Sequence, residues 1–268
     1  MSSRPLVSRR AALSVAGLLL ASCAAQAQIT PEHALGALAR QTTLDGRAIV
    51  AAAHAAAGGD VWVRPRTLHM VGEAVFYERE GEVRHERYEM WRAFPSMRSA
   101  AHAADGRVRI ESWREGRRAL LLTFDGARSY TAAGPQPASE ADAQWSENFG
   151  FGVIRYALNE GFVAARMPDD LVDGRPVFVV RVTDPAGQRT LFSIAQDDYL
   201  ILRVGFSTPR GWHERTYSDF FKRPKSPWMQ PGRVRLTYNG VKQNEIFWRS
   251  FTLNEEMPQS LFIVDAPG

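Results

Sequence analysis

The sequence predicts a mainly β fold of the α+β class, built on one large antiparallel sheet that must curl. Three observations predict it. Apolar and charged residues alternate with a period of two over most of the chain from Thr67 to Thr252, and turn signals recur between the runs. Only a few short stretches carry helical spacing instead. The runs amount to about ten or eleven strands, and open sheets of that size rarely stay flat.

The first 27 residues read as a secretion signal. Arg4, Arg9 and Arg10 give a positive start, and Ala11 to Ser22 forms an apolar core too short to cross a bilayer of about 30 Å. Ser8-Arg9-Arg10-Ala11-Ala12-Leu13 resembles a twin-arginine export motif, with Ala12 in place of the usual phenylalanine. Two processing sites overlap. Ala25-Gln26-Ala27 fits cleavage before Gln28, whereas Leu20-Ala21-Ser22-Cys23 resembles a lipobox whose cysteine accepts a lipid. Cys23 is the only cysteine of the chain and so the lipidation candidate; both readings stay open. Residues 28–268 are expected to form a single domain that is periplasmic, or held at the outer membrane facing the periplasm. Membrane association is expected only if Cys23 is lipidated.

Charge narrows the function classes. The formal net charge is +4, and removing three signal arginines and no acid leaves +1. The 33 basic residues include only three lysines (Lys222, Lys225, Lys242) and are interspersed with acids, so nucleic-acid binding loses its electrostatic support.

Two alanine-rich helices are expected next, Pro31 to Gln41 and Arg47 to Ala57, the second capped by Asp45 and closed by Gly58-Gly59. A meander follows to Thr131, with Leu68-Met70 and Ala74-Phe76 as separate apolar runs. Its turns are Glu80-Gly81, Asp105-Gly106, Glu115-Gly116 and Asp125-Gly126. After a polar loop, Ser139 to Glu160 reads as a helical interlude with Trp145, Phe149, Val153 and Tyr156 on one face, weakened at Gly150 and Gly152. Strands resume from Arg175, with Asp173-Gly174 and Asn239-Gly240 as hairpin turns. Asp169-Asp170 and Asp197-Asp198 read as turn residues. A proline-rich crossing, Pro224 to Pro231, carries Trp228 and Met229.

Several chemistries lack their residues. The six histidines (33, 54, 69, 85, 102 and 213) never pair at helical metal-site spacing and read as surface or strand-face residues. No nucleophile elbow, P-loop or dinucleotide fingerprint is present. No metal, cofactor or catalytic residue is therefore expected, and the chain is read as non-enzymatic.

The turns and strand patterns resemble a known family. Gly58-Gly59-Asp60-x-Trp62, the Asp173-Gly174 hairpin, Tyr217-x-Asp219-Phe220, Pro231, Tyr238-Asn239-Gly240 and Asn254 are similar to the outer-membrane lipoprotein-sorting superfamily, of LolA/LolB-like fold. That resemblance implies an unclosed half-barrel of about eleven strands, with lid helices at its mouth and an apolar cavity for acyl chains. No single arginine matches a lipid-locking residue of the sorting carriers. Two sets of residues are candidates for the ligand cavity or lid. Trp145, Phe149, Phe151, Tyr156, Trp228 and Met229 would form the lid and mouth, and Trp91, Trp113 and Trp248 would line the inside. Ordinary core packing is the alternative for each. The expected function is binding of a lipid or other hydrophobic ligand, in lipoprotein or lipid trafficking to the outer membrane. An envelope-stress sensor or scaffold that binds a protein partner is the alternative, and a lipid or glycan hydrolase a distant one.

Overall fold

The computed structural model describes residues 44–95, 106–138 and 152–265. The signal, Cys23, the helix expected over Pro31 to Gln41 and the interlude up to residue 151 lie outside them, and with these Trp145, Phe149 and Phe151.

Thirteen strands form one sheet in which every neighbouring pair is antiparallel. The amino-terminal strands are β1 (Thr67–Glu78), β2 (Gly81–Ala93), β3 (Arg107–Arg114), β4 (Arg117–Phe124), β5 (Ser129–Thr131) and β6 (Gly134–Pro135). The carboxy-terminal ones are β7 (Val163–Val172), β8 (Arg175–Thr183), β9 (Arg189–Ala195), β10 (Ile201–Thr208), β11 (Gly211–Ser218), β12 (Arg233–Tyr238) and β13 (Val241–Leu253). Their spatial order is β6-β5-β4-β3-β2-β1-β13-β12-β11-β10-β9-β8-β7. Two meanders thus lie side by side, joined where β1 pairs with β13. The sheet does not close, because β6 and β7 are its two edges.

Several local causes shape it. Asp173-Gly174 and Asn239-Gly240 take positive φ at both positions, 48° and 79°, then 49° and 77°, which makes tight hairpins whose twist suits the flanking strands. At Gly72 the register of β1 slips against both neighbours, and a Cβ there would collide with the Phe247 carbonyl oxygen. The bulge bends the middle of the sheet. It also makes one twelve-residue strand of the runs expected to be separate.

Three further expectations are corrected. The strands number thirteen because two short ones complete the first meander and because β7 contains Asp169 and Asp170. There a bulge between Met167 and Asp170 replaces the expected turn, and Asp170 pairs with Arg203 across the sheet. The described end of the interlude is a 3-10 turn, Val153–Tyr156, not a continuing α-helix. His54 is buried on a helix, neither at the surface nor on a strand, whereas the buried His85 and His213 stand on strand faces as expected.

Helix α1 (Gly46–Ala57) forms where expected. Asp45 accepts the Ala48 N–H at 2.8 Å, and Gly58, at φ 133°, ends it. A short helix α2 (Asp60–Val63) follows and buries Trp62. Ile49, Val50 and Ala53 of α1 join Val180, Val182, Phe192 and Ile194 in the main core, on the concave face of β7 to β9. Met167, Val177, Val179, Leu191 and Leu202 form a second cluster on the opposite face, as strand alternation requires. Among the described residues, no helix is long and apolar enough to cross a membrane.

Candidate ligand cavity

Over β1 to β4 and β11 to β13 no helix of the described residues fills the concave face, and a cavity of about 420 Å³ remains. Most of its wall is apolar. Met70, Met90, Ile110, Leu120 and Leu122 come from the first meander, and Val234, Leu236, Ile246 and Trp248 from the second. A fold leaves such space only where its own side chains cannot meet across the face.

One end is built from the proline-rich crossing. The Met229 N–H donates to the Ala57 carbonyl oxygen at 2.9 Å, which ties the crossing to the end of α1. Trp228 is thereby packed 6.4 Å from Trp62 and 6.3 Å from Phe251, centroid to centroid. The Trp228 indole N–H donates to Gln230 Oε1 at 3.0 Å, so its polar edge is satisfied. The Arg155 guanidinium lies 4.3 Å over the Trp62 ring and donates to the Trp62 carbonyl oxygen at 2.8 Å.

The polar part of the wall has a simple origin. In β11, His213, Arg215 and Tyr217 alternate with Trp212, Glu214 and Thr216, so the first three share the concave face. They form a ladder roughly 14 Å long, at about 3.4 Å per residue. Arg92 and Tyr88 project from β2 by the same alternation. In a flat sheet β2 and β11 would stand about 19 Å apart at some 4.8 Å per strand. The curl brings them together: Tyr88 acts electrostatically on Arg215, and Arg92 on Tyr217.

Burial dominates the electrostatics. His213 is 1% exposed, and its pKa is pushed down to about 2, first by burial and then by Arg215 and Arg210. The imidazole is neutral, stacked 4.6 Å from Phe206, and neither ring nitrogen has a hydrogen-bond partner among the described residues. Burial raises the Tyr217 hydroxyl to about 12, against the pull of Arg215, Arg155 and Arg92. Burial likewise raises Tyr88 and lowers Arg215.

The candidates from sequence are sorted by this geometry. Trp228 and Trp248 line the cavity. Met229 is half-buried beside Trp228, and Tyr156 is buried in the core off the cavity wall. Trp91 and Trp113 stand on the other face of their strands, Trp91 stacked on His69 at 4.7 Å and Trp113 beneath the Arg87 guanidinium at 4.4 Å. The β11 ladder, Tyr88, Arg92 and Arg155 were not among the candidates. Alternation in the strand Trp212 to Phe220 is the signal that carries the ladder.

The described wall offers no Asp, Glu, Ser or Cys; its hydroxyls belong to Thr208, Tyr88, Tyr217 and Tyr238, and its imidazole to His213. Among the described residues no group of three or more His, Cys, Asp or Glu could hold a metal ion.

No family model and no curated protein matches the chain. Solved structures do. A LolA superfamily protein from Nitrosomonas europaea is 12% identical, with 83% of this chain and 99% of that one covered and a TM-score of 0.49. A DUF1329 family protein from Desulfovibrio piger is 10% identical, over 81% and 96%, with a TM-score of 0.48. The MucA/MucB complex of Pseudomonas aeruginosa gives 16% identity over 80% and 58%, with a TM-score of 0.26.

Proposed function

We propose that this protein is a non-catalytic binding protein of the bacterial envelope that holds a lipid-like ligand in its half-barrel. The cavity carries the reading. Its volume of about 420 Å³ falls in the range of small-molecule sites, about 300–1,000 Å³, and its mixture of aliphatic and aromatic wall with a few polar groups is the usual composition of such sites. Affinity would come from buried chain, at about 0.8 kcal/mol per methylene. The signal-like first 27 residues support an envelope address, and a largely aliphatic and aromatic wall supports binding.

Lipid traffic is the finer reading. Cleavage after Ala27 would leave a soluble carrier, and lipidation of Cys23 a membrane-fixed acceptor. Mass spectrometry of the folded protein after gentle extraction should reveal a co-purified lipid, and titration with a fluorescent fatty acid should saturate. A protein that is reproducibly empty and takes up no fluorescent chain overturns the reading. The mass of the mature amino terminus, beside a Cys23→Ala control, separates carrier from acceptor.

A further inference from the structure

Three of the four arginines in the cavity wall are gathered; the fourth, Arg210, lies 4.2 Å over the Tyr238 ring. Arg92, Arg155 and Arg215 are 2%, 3% and 8% exposed and all line the cavity; Arg92 and Arg155 lie over the same Phe94 ring, at 4.8 and 5.0 Å, and all three guanidiniums act on the Tyr217 hydroxyl. His213 stands two positions from Arg215 on the same strand face, its two ring nitrogens buried and unpaired among the described residues. The strands β3 and β4, beside β2 and across the cavity from β11, contribute Ile110, Leu120 and Leu122 and no charge.

Each half of this arrangement has a distinct preference. Guanidinium groups taken out of water attract an anion far more strongly than in water, because the surroundings screen less. Their planar forks also match the oxygens of a carboxylate or phosphate. A neutral imidazole brings one donor and one acceptor, and burying them unused is costly. The apolar side answers only to chain.

Resting on the binding function above, we propose that the cavity selects an amphiphile with an anionic head and one aliphatic chain. The carboxylate or phosphate sits against Arg92, Arg155 and Arg215, an oxygen of the same head pairs with His213, and the chain runs across to Ile110 and Leu122. A volume in the lower half of the usual range suits one chain better than several.

The test compares heads on a constant chain. The purified mature protein is titrated with dodecanoate, dodecyl phosphate, dodecanol and inorganic phosphate, each by displacement of a bound fluorescent fatty acid. Dodecanoate and dodecyl phosphate should bind about tenfold or more tighter than dodecanol, the worth of a charge-assisted hydrogen bond. Inorganic phosphate should displace nothing, because it brings no chain. Arg215→Met and Arg92→Met keep length and burial but remove charge, and each should drive the ratio of anion to alcohol toward one. The ratio is measured within one preparation, so partial unfolding does not imitate the result. Equal binding of dodecanoate and dodecanol by the unaltered protein overturns the anionic head and leaves the binding function standing. Failure of every chain overturns both. Displacement by inorganic phosphate alone, or an unchanged ratio in both variants, also overturns the proposal.

Discussion

The concave face of this sheet is finished in two ways. Over β7 to β9 it is closed by α1, whose approach is so tight that a Cβ on Gly46 would collide with the Ala164 carbonyl. Val180, Val182, Phe192 and Ile194 there meet Ile49, Val50 and Ala53 in a packed core. Over β1 to β4 and β11 to β13 no helix of the described residues covers the same face, which carries the arginines, tyrosines and His213 among its aliphatic residues. The difference teaches that curl alone does not make a binding site. A helix laid on half of the concave face supplies stability, and the half left over is free to carry polar side chains that a packed core would reject.

The most direct way to break this comparison is one substitution in each half. Ile194 and Ile110 are both fully buried, at 0% and 2% exposure. Ile194→Ala should leave a new void among packed neighbours and lose stability in the upper part of the about 2–5 kcal/mol range. Ile110→Ala only widens a space that already exists, so its loss should be about 2 kcal/mol, the transfer part without the void. Urea unfolding with an unchanged m-value measures both. Equal losses would mean that the open half is as tightly packed as the closed one.

Enlarging a side chain should reverse the asymmetry. Val180→Phe overpacks the closed half and should lose about 1–3 kcal/mol. Val234→Phe projects into the cavity, so its stability should stay within about 0.5 kcal/mol while dodecanoate binding weakens. A variant at Val234 that binds undiminished would place the ligand elsewhere.

Acid should act on a buried histidine in each half. The unfolded His213 takes up a proton below its ordinary value of 6.5, whereas the folded one stays neutral until about 2. The unfolded chain therefore binds more protons between those values, and the stability that is complete above 6.5 is lost as the pH falls through that window. Between pH 7 and pH 5 this amounts to about 2 kcal/mol. His213→Phe should flatten the dependence. His54 beneath α1, its pKa lowered chiefly by burial while its ring pairs with the Ile154 carbonyl at 2.7 Å, works in the same direction. A wild-type protein equally stable at both pH values would show that water reaches His213.

Much of the closed half was legible in the sequence, because its signals are local. Asp45, Gly58 and the paired turn residues at 173–174 and 239–240 each act on their own few residues, and α1 and the hairpins follow from them. The sequence hid β7 because Met167-Pro168-Asp169-Asp170 has the composition of a turn. What holds it extended is Arg203, 33 residues away, facing Asp170. The open half was hidden for a different reason. In β11 both faces mix polar and apolar residues, and the largest aromatic, Trp212, faces away from the cavity, over Gly205 and against the second cluster. Periodicity shows that His213, Arg215 and Tyr217 share a face, but only the curl says that this face is concave. Trp91 and Trp113 misled in the opposite sense, because His69 and Arg87 cover them on the outer side.

The smallest effect is the most selective. Asp45 touches neither half, yet its carboxylate takes the Ala48 N–H and fixes where α1 begins. Asp45→Ala should cost about 1 kcal/mol, the usual worth of an N-cap. If α1 is what separates the closed half from the open one, the loss should appear as faster amide exchange in α1 and in β7 and β8 beneath it, since local opening follows cooperative units. Exchange in β3 and β4, and the affinity for dodecanoate, should not change. Loosening of the cavity strands by the same substitution would show that helix and cavity open as one unit, and the two halves of the concave face would then differ in contents but not in stability.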